Sequence, residues 1–138
     1  MCWVAVTEEE LTPKIAEDNI PVEKIVMLNT TIYNEPYWCS AYFNKIYDLN
    51  TTYKTNDMHL EGCIVKEGFH SYKGVKIIFN KELERIYIYD KNKIRLDSWH
   101  IYNKAIMSCV IPKGSMYYEN NHGEIVSNAI TPIYAYKL

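Results

Sequence analysis

The stretch that indicates the fold most clearly is Lys104-Ala105-Ile106-Met107-Ser108-Cys109-Val110-Ile111, which Pro112-Lys113-Gly114 follows. An apolar run of this length that stops at a proline and a glycine is typical of a buried strand leading into a tight turn. Residues 22–28 and 76–80 show a similar apolar run between turn residues and predict two more strands. We therefore expect a sheet to form most of the structure.

Other segments extend this prediction. Short strands are expected at residues 60–65, 124–130 and 133–137. Residues 81–96 fit both strand and helix spacing, and the alternation of isoleucine with tyrosine favours strand. Loops are expected at residues 33–38 and 50–57. The segment between these two loops is more apolar, since it contains Tyr42 and Phe43.

The best helix candidate lies near the start of the chain. Thr7 could cap a helix whose first turn holds Glu8, Glu9 and Glu10, and Pro13 limits its length to a turn or two. The predicted fold class is therefore α+β, as a single small domain over residues 1–138 that is dominated by a mixed or antiparallel sheet with one or two short helices.

Composition narrows the class of protein. The chain has 138 residues and a formal charge of −2, which argues against an extended nucleic acid as partner. It lacks a long apolar run and a basic, apolar leader at its start, so we expect no membrane partner and a cytoplasmic location. Four cysteines without metal-ligand spacing predict free buried thiols and no metal. We also expect no cofactor. The 13 tyrosines combine an aromatic ring with a polar hydroxyl, which suits partly solvated pockets and surfaces.

Gly68-Phe69-His70-Ser71-Tyr72, with Lys73 next to it, is one candidate ligand site. It combines an imidazole, two hydroxyls and two rings, which could stack against a nucleobase-like ring and hydrogen-bond to it. The alternative is an ordinary strand edge with Phe69 inside and His70 in water.

Lys113-Gly114-Ser115, with Tyr117 and Tyr118 shortly after, is the second candidate ligand site. The backbone N–H groups of a turn after a strand can meet a phosphate, and Lys113 and Ser115 would add donors. The alternative is a plain turn, because the glycine pattern of a phosphate loop is missing.

Catalytic residues are harder to find. None of the four histidines stands in a nucleophile motif, and Cys39 and Cys109 fit small buried apolar residues better than nucleophiles. If the protein is an enzyme, Glu124 and His70 are the predicted acid–base residues.

Three segments taken together resemble a family of small uncharacterised proteins from Bacteroides-group bacteria and their phages. They are Lys14-Ile15-Ala16-Glu17-Asp18-Asn19-Ile20, Gly68-Phe69-His70-Ser71-Tyr72 and the run from Cys109 to Tyr118. The resemblance implies a phage or mobile-element context, and hence the host cytoplasm, but no activity.

A second resemblance is to the ADP-ribosyltransferase fold, in which a Pro-Lys-Gly turn leads through a tyrosine loop to a catalytic glutamate. Pro112-Lys113-Gly114, Tyr117 and Glu124 stand in that order. The family's paired glutamate is replaced by His122, and no Ser-Thr-Ser motif precedes it. The resemblance implies a degenerate version of this fold.

Three functions remain open from the sequence. The favoured one is a protein that binds and sequesters a small anionic nucleotide-like ligand without catalysis, as in counter-defence by a phage. The second is a protein-binding inhibitor of a host factor, with Trp38 and Trp99 as interface anchors. The third is an enzyme that processes NAD or a nucleotide.

Overall fold

The structure, a computed structural model, describes residues 2–40 and 45–137. Strands make up most of the described residues, and the helical part of these residues is a single three-residue 3-10 turn. The strands are β1 Cys2–Ala5, β2 Lys14–Ile15, β3 Ile20–Thr30, β4 Pro36–Ser40, β5 Ile46–Tyr47, β6 Tyr53–Lys54, β7 His59–Glu61, β8 Ile64–Tyr72, β9 Lys76–Asn80, β10 Arg85–Tyr89, β11 Arg95–His100, β12 Lys104–Ile111, β13 Met116–Glu119, β14 Glu124–Ser127 and β15 Ala129–Lys137.

The strands form two antiparallel sheets. The large sheet has 12 strands, with a main path β2-β13-β14-β8-β3-β12-β15-β6 to which β1, β4, β5 and β7 are added. The small sheet has the order β11-β10-β9. The prediction of an α+β fold is therefore wrong, because the described residues contain no α-helix.

The predicted N-terminal helix is a single 3-10 turn at Glu8–Glu10. The capping signal is real, since the Thr7 backbone N–H donates to a Glu10 carboxylate oxygen at 2.9 Å. Pro13 then interrupts the segment, and Lys14–Ile15 pairs with β13 as an edge strand. Without an apolar stripe to bury, this capped turn is not extended into a helix.

Several strand predictions are confirmed. Those at residues 76–80 and 104–111 have the bounds of β9 and β12, and residues 22–28 lie within β3. Residues 124–130 and 133–137 fall largely in β14 and β15. The strand preference for residues 81–96 is also right, but the segment holds a turn, β10, a second turn and the start of β11.

Other predictions needed correction. The strand expected at residues 60–65 divides between β7 and β8 around a turn, and the loop expected at residues 33–38 ends early because β4 begins at Pro36. Short β6 interrupts the loop expected at residues 50–57. Tyr42 and Phe43 lie outside the described residues.

The alternation of side chains gives the large sheet two different faces, which we call the first and the second. On the first face, Val22 and Val26 of β3 pack with Met107 and Cys109 of β12 in the largest core. On the second face, Ile25 and Ile106 belong to another core that includes Ile86 and Ile88 of the small sheet. The small sheet therefore covers part of the second face.

A third core lies further along the second face, around Val65 and Val126. Here Gly68 allows the close approach of two strands, since a Cβ at this position would lie 2.3 Å from a Val126 methyl carbon. In the described residues no helix is long and apolar enough to cross a membrane.

Candidate functional site

The predicted segment from Phe69 to Tyr72 occupies the centre of the large sheet, but its side chains divide between the two faces. Strand β14 pairs beside it, with Ile125 opposite Ser71 and Val126 opposite His70. Phe69 and Ser71 therefore point to the first face, and His70 and Tyr72 to the second. The sequence predicted one cluster of ligand-binding side chains. In the structure these side chains form two groups, one on each face of the sheet.

On the second face, His70 meets Glu124. The two lie on neighbouring strands, with His70 Nε2 3.4 Å from Glu124 Oε2. The ring of Tyr72 lies edge-on to the imidazole at 4.7 Å between centroids, and its hydroxyl donates to Asp97 of the small sheet at 3.3 Å. The structure thus brings together the two residues that the sequence proposed as an acid–base pair; their role stays a prediction.

A second histidine–carboxylate pair lies at the turn between β13 and β14. His122 Nδ1 is 2.9 Å from a carboxylate oxygen of Asp90, which follows β10 in the small sheet and is 1% exposed. The other Asp90 oxygen accepts the backbone N–H groups of Asn92 and Ile94. We call the two pairs, with Tyr72 and Asp97, the histidine–carboxylate seam. The His122–Asp90 pair and the Tyr72–Asp97 hydrogen bond connect the two sheets, and the His70–Glu124 pair lies beside Tyr72 within the large sheet.

Both carboxylates of these pairs are held in the ionised form. The hydrogen bond with His70 lowers the pKa of Glu124, against the opposite effect of burial, and Asn120 adds a further hydrogen bond. The hydrogen bond with His122 is the largest cause of the lowered pKa of Asp90. A carboxylate that orients an imidazole can support proton transfer or simply fix the geometry of the seam.

On the first face, a lysine enters the largest core. Lys24 lies in β3 between Val22 and Val26 and is only 8% exposed. Its ammonium group donates a hydrogen bond to the backbone carbonyl of His70 and lies 5.8 Å from the centre of the Tyr47 ring. A lysine this deep in a core is rare because removing an ammonium from water is costly.

A second cation and two more rings complete this group. Lys45 Nζ lies 4.9 Å from the centre of the Phe69 ring and 5.3 Å from that of Tyr53. Tyr53 packs edge-on against Tyr47 at 5.2 Å. We call Lys24, Lys45, Tyr47, Tyr53 and Phe69 the lysine–aromatic cluster. It runs from an exposed lysine to a buried one through three rings.

Two further polar groups share this face. Ser71 is fully buried, and among the described residues no group hydrogen-bonds to its hydroxyl. Cys109 is also buried, and burial raises the pKa of its thiol to about 12 although Lys24 opposes the shift. The thiol is therefore protonated at neutral pH and is no nucleophile, whereas the Ser71 hydroxyl keeps an unused hydrogen-bonding capacity.

The remaining predicted ligand residues are only partly brought together. Tyr117 and Tyr118 lie on β13, across β14 from Phe69 and His70, and alternation again places them on opposite faces. Tyr118 is buried in the third core. Lys73 lies at the end of β8, with its ammonium 3.8 Å from Glu119. Its pairing makes this lysine less available to a ligand.

The turn at Lys113-Gly114-Ser115 offers few donors. The three backbone N–H groups donate to Asn19 Oδ1, to the Ala16 carbonyl and to the Pro112 carbonyl, at 2.9, 2.8 and 3.0 Å. Ser115 is buried. The predicted phosphate site depended on available backbone N–H groups at this turn, and these three groups already have acceptors. Ligand binding here stays a prediction.

Sequence reasoning missed four members of the lysine–aromatic cluster. Lys24 carried a usable signal, since its position between Val22 and Val26 in a predicted strand places it on their inward face. Lys45, Tyr47 and Tyr53 gave no such signal, because β5 and β6 are only two residues long.

The cysteines agree in part with expectation. Cys39 and Cys109 are free and buried, but Cys63 is free and exposed. Within the described residues no group of His, Cys, Asp and Glu side chains could hold a metal ion. Comparison with known protein families, curated proteins and solved structures gave no match to this chain.

Proposed function

We propose that this protein binds a small anionic ligand that carries an aromatic ring, of the nucleotide type, and does not transform it. The binding site is the lysine–aromatic cluster on the first face of the large sheet. The observation that carries the proposal is Lys24, a cation only 8% exposed in an apolar core. In these low-dielectric surroundings the ammonium of Lys24 attracts an anion more strongly than it would in water, which favours the binding of an anionic ligand in the cluster.

The neighbouring groups fit such a ligand. Tyr47, Tyr53 and Phe69 offer ring surfaces for stacking, and Lys45 is exposed at the outer end, where it can turn from the rings to a second anionic group. The Ser71 hydroxyl, on the same face as Lys24, would gain the partner it lacks among the described residues. Two cations and three rings match a phosphate and a base better than an apolar ligand.

Binding without chemistry fits the groups that are present. The thiol of Cys109 is protonated, and the His70–Glu124 pair lies on the opposite face, behind the sheet. The resemblance to phage proteins suggests that such a binder acts in the cytoplasm of a host and sequesters a nucleotide signal of its defence. That context is part of the proposal.

Calorimetric titration with cyclic dinucleotides and ADP-ribose derivatives tests the proposal, with thermal shift as a second readout. We expect one of these ligands to bind the wild type, and Lys24→Met and Lys45→Met each to weaken it at least about tenfold, since each removes a charge-assisted contact. Lys113→Met is the matched control and should bind normally. If no ligand binds, or if only Lys113→Met loses binding, the proposal is wrong.

An enzyme acting on a nucleotide is the second candidate, and the His70–Glu124 contact at 3.4 Å favours it. Glu124 would polarise a ribose hydroxyl and His70 would move the proton. Chromatography of the ligand after incubation separates the two functions. Return of intact ligand supports binding alone, while turnover that Glu124→Gln abolishes supports the enzyme.

A further inference from the structure

The outward face of the small sheet is a second surface of interest, separate from the lysine–aromatic cluster. Ile86 and Ile88 are fully buried against the large sheet, so the alternate positions of β10 point away from it. The register aligns these positions with their neighbours on β9 and β11. We call this surface the cationic face, and its residues are Lys76, Ile78, Asn80, Arg85, Tyr87, Tyr89, Arg95, Ser98 and His100.

Charge on this face has one sign. Lys76, Arg85 and Arg95 are its basic side chains, and none of its nine residues is acidic. Lys91 and Lys93 extend the positive charge at the turn between β10 and β11, while Glu82 and Glu84 lie at the opposite end. The formal charge of −2 for the whole chain therefore conceals a local basic surface.

Two aromatic rings lie in the middle of these cations. Tyr87 and Tyr89 are 6.3 Å apart between ring centroids, at an interplanar angle of 37°. The guanidinium of Arg95 lies 5.8 Å from the centre of the Tyr87 ring, and Arg85 donates to the Ser98 hydroxyl at 2.9 Å. The rings and the guanidinium groups are thus held in defined positions on a sheet surface.

We propose that the cationic face binds single-stranded nucleic acid. Bases of a single strand can stack on Tyr87 and Tyr89, and its phosphates can reach Lys76, Arg85 and Arg95. Three strands give a surface about 10 Å wide, which suits one strand of nucleic acid rather than a duplex. A duplex also keeps its base surfaces inside and cannot use the rings.

An acidic peptide would satisfy the cations but would gain much less from the tyrosines. Stacking is specific to the bases, so the tyrosines decide between the two partners. The charge complementarity is the same for both. We therefore commit to the nucleic acid, and the peptide becomes an outcome of the test.

The chain contains a matched pair of tyrosines for comparison. Tyr134 and Tyr136 also stand two residues apart on one strand, with ring centroids 6.0 Å apart and stacked planes. They are exposed, and the pKa of Tyr136 is raised first by burial and then by the carboxylate of Glu23. This pair lies on β15 of the large sheet and is not part of the cationic face.

Fluorescence anisotropy with labelled oligouridine and oligothymidine of about eight nucleotides tests the proposal. We expect Tyr87→Ala and Tyr89→Ala each to weaken binding about tenfold. Tyr134→Ala and Tyr136→Ala should leave it within about twofold, because these rings lie away from the cations. Comparing the two oligomers shows whether RNA or DNA is preferred.

The salt dependence gives a second readout that does not rely on the tyrosines. Arg95→Gln should make the slope of log affinity against log salt shallower by about 0.7, the value for one phosphate contact to a single strand. Circular dichroism confirms that each variant is folded. The proposal is overturned if wild type binds no oligonucleotide at low salt, if a duplex binds as tightly, if polyglutamate displaces the oligonucleotide equally well, or if both tyrosine pairs matter equally.

Discussion

The lysine–aromatic cluster and the cationic face combine the same residue types in opposite surroundings. In the cluster, Lys24 is 8% exposed and its rings belong to the core, whereas Lys76 and Arg95 on the cationic face are open to water. Burial strengthens the attraction of a cation for an anion but leaves room for few atoms. On the two proposals made above, the lysine–aromatic cluster would hold one small ligand and the cationic face would hold an extended chain.

Removing the buried cation should have the largest effect on stability. We expect Lys24→Ala to lower the free energy of unfolding by about 3 kcal/mol, since it leaves a cavity and removes the donor to the His70 carbonyl. Lys24→Met keeps the volume and should change stability by less than about 1.5 kcal/mol. Arg95→Ala, the exposed counterpart, should stay within about 0.5 kcal/mol.

Urea denaturation measures all three variants. A Lys24→Ala protein as stable as the Arg95→Ala protein would mean that Lys24 is exposed in solution, and the contrast between the two regions would then disappear.

The next largest effect concerns salt, which should weaken ligand binding at the two regions to different extents. If three phosphates are contacted, raising salt from about 50 to about 200 mM should weaken oligonucleotide binding about twentyfold. Binding of a small anion at the lysine–aromatic cluster should weaken much less, because partly buried charges are poorly screened. Parallel titrations of the wild type with both ligands measure this difference, and equal salt slopes would contradict it.

Thiol labelling should show a smaller but clear difference in solvent access between the exposed and the buried cysteines. In a Cys2→Ser background, iodoacetamide should modify Cys63 quickly and leave Cys39 and Cys109 unmodified while the protein is folded. Burial raises the pKa of both buried thiols, that of Cys109 to about 12. Mass spectrometry of digested protein identifies the sites, and Cys63→Ser is the control. Rapid labelling of Cys109 would show that the largest core opens to water.

The smallest effect concerns Glu23, which precedes Lys24 and points to the other face of β3. Burial raises the pKa of Glu23 above its usual value of 4.5. The folded protein then binds more protons than the unfolded chain just above that value, so stability from this group is lost as pH rises through the folded pKa. Glu23→Gln should remove this loss and slightly raise the melting temperature at pH 7, but not at pH 4, in a calorimetric scan. A lower melting temperature at pH 7 would contradict this.

The strands were easier to predict from the sequence than the site. Lys104–Ile111 and Lys76–Asn80 were predicted with their observed bounds, because turn residues flank both apolar runs. The helix was predicted wrongly at Thr7, where a genuine cap is followed by too few residues to form one. Local signals therefore describe strands well but do not show when a capped segment ends after one turn.

The candidate sites depend on contacts between distant parts of the chain. Lys24 reaches the carbonyl of His70, 46 residues away, and no local pattern predicts that strand pairing. The sequence did single out His70 and Glu124, but not that they face away from Phe69. Total charge averages the cationic face with acidic residues elsewhere, so it does not show how charge is distributed over the surface.

The outer edge of β9 has a consequence for how the protein behaves at high concentration. Ile77, Ile78 and Phe79 occupy an outer strand that has no partner on one side among the described strands, and Ile78 and Phe79 are 39% and 36% exposed. Such an edge can recruit another chain by adding a strand, and flanking lysines oppose this through charge repulsion. We therefore expect Lys76 and Lys81 to oppose self-assembly, and this protein should aggregate sooner when salt weakens their repulsion.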